Sequence, residues 1–112
     1  ELVKIFVRSQ ELNVIPSIYV FAEANTPVDS IFGIFRTDFR ARPVAASISN
    51  YFGITGGSEY LYKYNVDNDS NVFCYFKNGA PILIAWNPNN ATELNFDENV
   101  TVTDIYGNKL EK

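Results

Sequence analysis

The sequence predicts an α+β fold in two parts: a helix–strand–helix segment over residues 1–57, then an antiparallel β-domain over 58–112 with five to six short strands. Three observations lead there. The first twelve residues, "ELVKIFVRSQEL", carry apolar side chains at helical spacing. Pro43 stands where a first helical residue is favoured, because its missing N–H is one of the unbonded donors at that end in any case. From residue 59 the apolar period falls to two, and "KNGA" supplies an Asn-Gly hairpin signal. At 112 residues and 46% hydrophobic composition, the chain can bury one modest core.

Taken in order, Leu2, Val3, Ile5, Phe6 and Leu12 form one apolar stripe, with Lys4, Arg8 and Glu11 elsewhere, which predicts an amphipathic helix of about three turns. "NVIPSIYVFAEAN" then becomes an almost continuous apolar run, Ile18, Tyr19, Val20, Phe21 and Ala22, bounded by Pro16 and by Asn25 and Pro27, the pattern of a strand covered on both faces. "IFGIF" is a second short apolar run and "RTDFRA" is polar enough to turn. Val44, Ile48 and Phe52 follow Pro43 at helical spacing, and "GITGG" stops that helix. Beyond it, Tyr60, Tyr62 and Tyr64 alternate with Leu61, Lys63 and Asn65. Strict alternation puts the three tyrosines on one face. "VDNDSN" turns, "VFCYFK" and "PILIAW" pair through the Asn-Gly turn, and "ELNF" and "VTVTDIY" read as further strands before the turn "GNK". Together these strands predict a small β-sandwich or a curled sheet.

Several function classes are disfavoured by composition. The net charge is −4. Residues 1–57 hold five basic and five acidic side chains, and 58–112 hold four and eight. Neither half offers the basic face that phosphate contacts need, so no nucleic acid is expected as a partner. No apolar run reaches the ~20 residues of a bilayer span, so no membrane is expected either. Histidine is absent and Cys74 is the one cysteine. This removes the usual base of nucleophilic triads and a thiolate metal site, and leaves Cys74 as a buried small hydrophobe. "DNDSN" lacks the glycine and the distant glutamate of a calcium loop and reads as turn chemistry. No metal or cofactor is expected. Asn68, Asn90 and Asn99 open N-x-[ST] triplets in polar stretches, which makes them N-glycosylation candidates and points to a secreted, extracellular chain.

The order of these pieces resembles the end of retaining (β/α)8-barrel glycoside hydrolases. In that family a last strand leads through a phrase of the form G-L-x-R-x-D-G-x-P-K-P-A-Y into the final helix. Here "FGIFRTDFRARPVAASISNYF" is similar, with Gly33, Arg36, Asp38, Arg42 and Pro43 at corresponding places, Phe39 where the family has glycine and Ala41 where it has proline. "IYVFAEANTPVDS" resembles the eighth barrel strand and its exit loop. "FKNGAPILIAWNPNNATELNF" with "VTVTDIYGNKLE" resembles the small C-terminal β-domain. The resemblance covers nearly the whole chain. It implies a piece without catalysis, because the nucleophile and the acid/base of retaining hydrolysis, ~5 to 5.5 Å apart, come from barrel strands that precede these residues.

Glu23, at the rim of the barrel-like strand, is then a candidate for sugar contact, as are Tyr62 and Trp86 within the set Tyr60, Tyr62, Tyr64, Tyr75 and Trp86. The same aromatics suit a pleated core, with Trp86 as its anchor. The expected function is a non-catalytic accessory or scaffold portion of a glycoside hydrolase with carbohydrate contact. The alternative is a structural self-assembling module, since a strand over 14–22 needs a sheet. Its partner is then the missing barrel portion or another copy, giving a homo-oligomer.

Overall fold

The structure, a computed structural model, describes residues 1–18 and 33–111. Two helices, α1 (Leu2–Glu11) and α2 (Pro43–Thr55), precede three strands, β1 (Glu59–Tyr64), β2 (Asn71–Lys77) and β3 (Ala80–Trp86). The strands form one open antiparallel sheet in the order β1-β2-β3. The fold is α+β as expected, but the sandwich of five to six strands is not formed among the described residues. "ELNF" and "VTVTDIY" are irregular there apart from a single bridge between Thr103 and Lys109. In their place the Asp104 carboxylate organises a turn, accepting backbone N–H from Tyr106 and Asn108 at 2.9 Å and the Asn108 side-chain amide at 2.8 Å. Residues 14–18 are irregular, and the rest of the strand expected over 14–22 lies outside the described residues.

Both helices cover one face of the sheet. The core there is Val3, Val7, Tyr51, Phe73 and Tyr75, with Phe6, Ile48, Tyr60, Ile82, Ile84 and Trp86 packed around it. On α1 the row that reaches the core is Val3 and Val7, one turn apart, with Phe6 beside them. Ile5 and Leu12, expected on the same stripe, stay 55% and 68% exposed. Among the described residues α1 neighbours α2 and β1, and the residues it buries there are Val3, Val7 and Ser9. On α2 the fully buried residues are Ser47, Tyr51 and Thr55, while Ile48, of the apolar residues at helical spacing, packs partly buried against the core. Ser47 and Thr55 return their hydroxyls to the helix, donating to the carbonyls of Val44 and Tyr51 at 2.8 Å each, so they bury without an unpaired polar atom. Phe52 turns outward to meet Phe6 edge-on at 5.2 Å.

Local chemistry explains the ends of the elements. Pro43 opens α2 behind Arg42, whose extended backbone stands at the cap. The β2–β3 hairpin turns through Asn78 and Gly79, both at positive φ (52° and 81°), as a two-residue hairpin loop of type I′ requires. The turn before β2 is held by Asp67, which accepts backbone N–H groups from Asp69 and Ser70. Cys74 is buried in β2. Among the described residues no helix is long and apolar enough to cross a membrane.

Candidate functional site

The two faces of the sheet differ in character because β1 contains a bulge. Tyr60 pairs with Tyr75, but Tyr62 pairs with Cys74, so Tyr60 and Leu61 together span one step of β2. An extra residue reverses the facing of everything after it. Tyr60 and Lys63 therefore face the helices: Tyr60 meets Tyr75 edge-on at 5.5 Å, and the Lys63 ammonium lies 5.7 Å from the Phe73 ring. Tyr62 and Tyr64 point to the opposite side. The expectation that Tyr60, Tyr62 and Tyr64 share a face is thus corrected by Leu61, the unpaired residue.

On that outer face the register lays out three rows across β1, β2 and β3: Tyr64–Val72–Ala85, Tyr62–Cys74–Leu83 and Glu59–Phe76–Pro81. Val72 and Cys74, in the middle strand, are buried by their neighbours, while Tyr62, Tyr64, Phe76 and Leu83 are 47%, 48%, 42% and 38% exposed. The rings of Tyr62 and Tyr64 lie 5.1 Å apart. Hydrogen bonding with the Tyr64 phenol, then partial desolvation, holds the Tyr62 phenol protonated and pushes its pKa up to about 12. The face carries one formal charge, Glu59, at a corner.

Trp86 occupies the other side of the molecule. Its ring stacks on Phe73 at 5.1 Å with the planes 16° apart, and the Lys4 ammonium lies 5.9 Å from its centroid. Beside it an open cleft of about 430 Å³ is lined by Ile5, Leu12, Val14, Pro16 and Trp86, with Lys4 and Arg8 over it. Both cations are matched already. Lys4 pairs with Glu1 at 2.6 Å, and Arg8 donates to Glu11 at 3.0 Å and to Asn71 at 2.7 Å.

The sequence-derived candidates are consequently not brought to one place. Tyr62 and Trp86 sit on opposite faces of the sheet, and Glu23 lies outside the described residues. Asn68, Asn90 and Asn99 are all exposed. The first two lie at the same end of the sheet, since Ser70 and Thr92 of their triplets meet at 3.0 Å and both accept from the Asn87 amide. Phe76 and Leu83 belong to the outer face but were not singled out by sequence reasoning. Nothing in the order of residues marks a bulge, and without it their neighbours are assigned to the wrong side. Among the described residues no group of three metal-ligating side chains comes together.

The charged turn before α2 has a defined geometry. Arg36 donates its backbone N–H to the Arg40 carbonyl at 2.9 Å, and Arg42 donates to Ile34 at 3.0 Å, closing a small hairpin whose loop is Thr37, Asp38 and Phe39. Asp38 accepts from the Arg40 backbone at 3.1 Å and from its guanidinium Nε at 2.5 Å. These bonds, the backbone one foremost, hold the Asp38 carboxyl below the ordinary range. Phe39 closes the loop at φ 60° while 79% exposed. Comparison with known protein families, with curated proteins and with solved structures finds no match.

Proposed function

We propose that this chain is the non-catalytic C-terminal scaffold portion of a retaining (β/α)8-barrel glycoside hydrolase, carrying the seam between the last barrel strand and the last helix together with the β-domain beyond. The observation that supports this reading is the backbone of Phe39. A three-residue hairpin loop ends in a left-handed residue, the position that glycine fills without steric cost. The phrase that the chain resembles has glycine at this place. Here the turn keeps the glycine-type conformation with a phenylalanine in it, at φ 60°. Pro43 at the first turn of α2 and the Asp38–Arg40 pair that braces the loop are consistent with the same seam. In this role Arg36, Asp38 and Arg42 serve the turn and the helix start, and the β-domain offers surface for contact.

A left-handed L-residue costs about 1–2 kcal/mol, and the flexibility of glycine returns about 0.5–1 kcal/mol of that to the unfolded chain. Phe39→Gly is therefore expected to raise the unfolding free energy by up to about 1 kcal/mol, with little packing lost from a ring that is 79% exposed. Phe39→Val is expected to lower it, because a branched Cβ resists positive φ. Thermal melts of both variants check this. The reverse order contradicts the glycine-type turn and removes the support it gives to the seam.

A further inference from the structure

We infer that the outer face of the sheet, built on Tyr62, Tyr64 and Phe76, is a stacking platform for a neutral polysaccharide chain. The ligand class rests on the glycan-related reading above; the surface itself rests on the bulge at Leu61.

The bulge is the first argument. With regular alternation from Tyr60, which packs in the core, Tyr62 and Tyr64 enter the core side and Lys63 faces solvent. The inserted residue does the opposite, turning two aromatic rings outward and a lysine inward over Phe73. Bulges re-aim side chains in this way, and edge strands such as β1 are where they concentrate. Charge is the second argument. No cation stands in the three rows, and Glu59 is the single carboxylate, at a corner. Such a face offers an acidic partner nothing to pair with, but it suits a ligand with apolar C–H faces and hydroxyl edges. The rings meet the faces of pyranose units, while the phenols and the carboxylate meet their hydroxyls.

Area separates this ligand from the main competitor, a second copy of the chain. Aromatic side chains bury ~150 to 250 Å² each, so three rings a little under half exposed, with Leu83, present on the order of 400 Å². A stable protein interface needs about 800 Å² from each partner. The patch falls short of that and lies within the ~300 to 600 Å² of the largest apolar patch on a typical monomer, which is often functional. A glycan chain gains from each ring it crosses and has no such threshold.

The test is retention of the intact chain in affinity electrophoresis through gels containing hydroxyethyl cellulose, xylan or galactomannan, with and without 0.5–1 M salt, the usual range for about full screening of surface charge. The expected result is retardation by at least one neutral polysaccharide that persists in salt and weakens about tenfold in Tyr62→Ala and in Tyr64→Ala, the loss of one stacked ring. Trp86→Ala, on the other face, is expected to leave retardation unchanged in protein that still melts cooperatively. Titration of the unaltered protein with a soluble oligosaccharide, followed by NMR, keeps the test independent of any variant's folding. Shifts confined to Tyr62, Tyr64 and Phe76 support the platform; shifts centred on Trp86 overturn it. No retardation on any of the three gels also overturns it, as does a dimer in sedimentation that Tyr62→Ser dissolves, which makes the second copy the occupant. None of these failures bears on the seam at Phe39, which the melts decide separately.

Discussion

Phe73→Ala is expected to cost about 3–5 kcal/mol of stability, the usual range for deleting a fully buried aromatic ring. Phe73 is 0% exposed and sits at the centre of the sheet's inner face. Trp86 stacks on it, Tyr60 approaches at 6.4 Å, and the charged ends of Arg8 and Lys63 lie 5.5 Å and 5.7 Å from its ring. Truncation to alanine leaves a cavity and also deprives two cations of the ring they rest on. For a domain whose total stability is of the usual ~5–15 kcal/mol, this is a large fraction. Urea denaturation followed by the fluorescence of Trp86 measures it, since the stacked partner of that indole is the residue removed. A cost below about 1 kcal/mol contradicts the placement of Phe73 under both helices. Phe76→Ala is the matched control: it lies on the outer face, 42% exposed, and its loss is expected to cost much less.

At the alkaline end the fold is expected to weaken steeply, and Tyr75 is the main cause. Its side chain is fully enclosed, with the Tyr51 hydroxyl 3.5 Å away. Burial, and after it the Tyr51 contact, push the Tyr75 phenol well above the ordinary tyrosine range. Burial raises Tyr60 as well. An unfolded tyrosine loses its proton near pH 10. Above that pH the unfolded chain binds fewer protons than the native one, which still holds the proton of Tyr75, so stability falls as pH rises. One such group removes about 1.4 kcal/mol per pH unit until its native pKa is reached. Below pH 10 both states keep the proton, and the group contributes no slope. Urea titrations at a series of pH values from about 9 to 11.5 reveal the limb, bracketing the ordinary tyrosine pKa. In Tyr75→Phe the slope is expected to flatten by one group's worth, whereas an unchanged slope contradicts the enclosure of this phenol.

Much of the fold was legible because it is written in local chemistry. Asn78-Gly79 can take positive φ at both positions, so the β2–β3 hairpin follows from the dipeptide. Pro43 marks the start of α2, and Asp67 and Asp104 mark turns through their own hydrogen bonds. Features that depend on a neighbour were not legible. The β-branched run near Thr101, Val102 and Thr103 looks like a strand, but β-propensity reports how well a side chain suits a pleated surface and says nothing of whether a strand is there to pair with. The burial of Ser47 and Thr55 on α2 was not legible, because it depends on their hydroxyls bonding back to the helix, which makes two polar residues suitable for the core. The outer face depended on Leu61, an unremarkable residue in an alternating run, and one unpaired position moved Tyr62 from the side of Tyr60 to the opposite one. Residue type alone did not reveal that Tyr62 and Trp86 are separated by the sheet itself.

Whether these residues form the scaffold end of a barrel hydrolase is decided by sequencing the transcript upstream of the codon for Glu1. An open frame is expected to continue for the ~200 residues or more that complete a (β/α)8 barrel, with carboxylates at the ends of two of its strands. A stop codon in frame, or a short leader joined directly to Glu1, would contradict it.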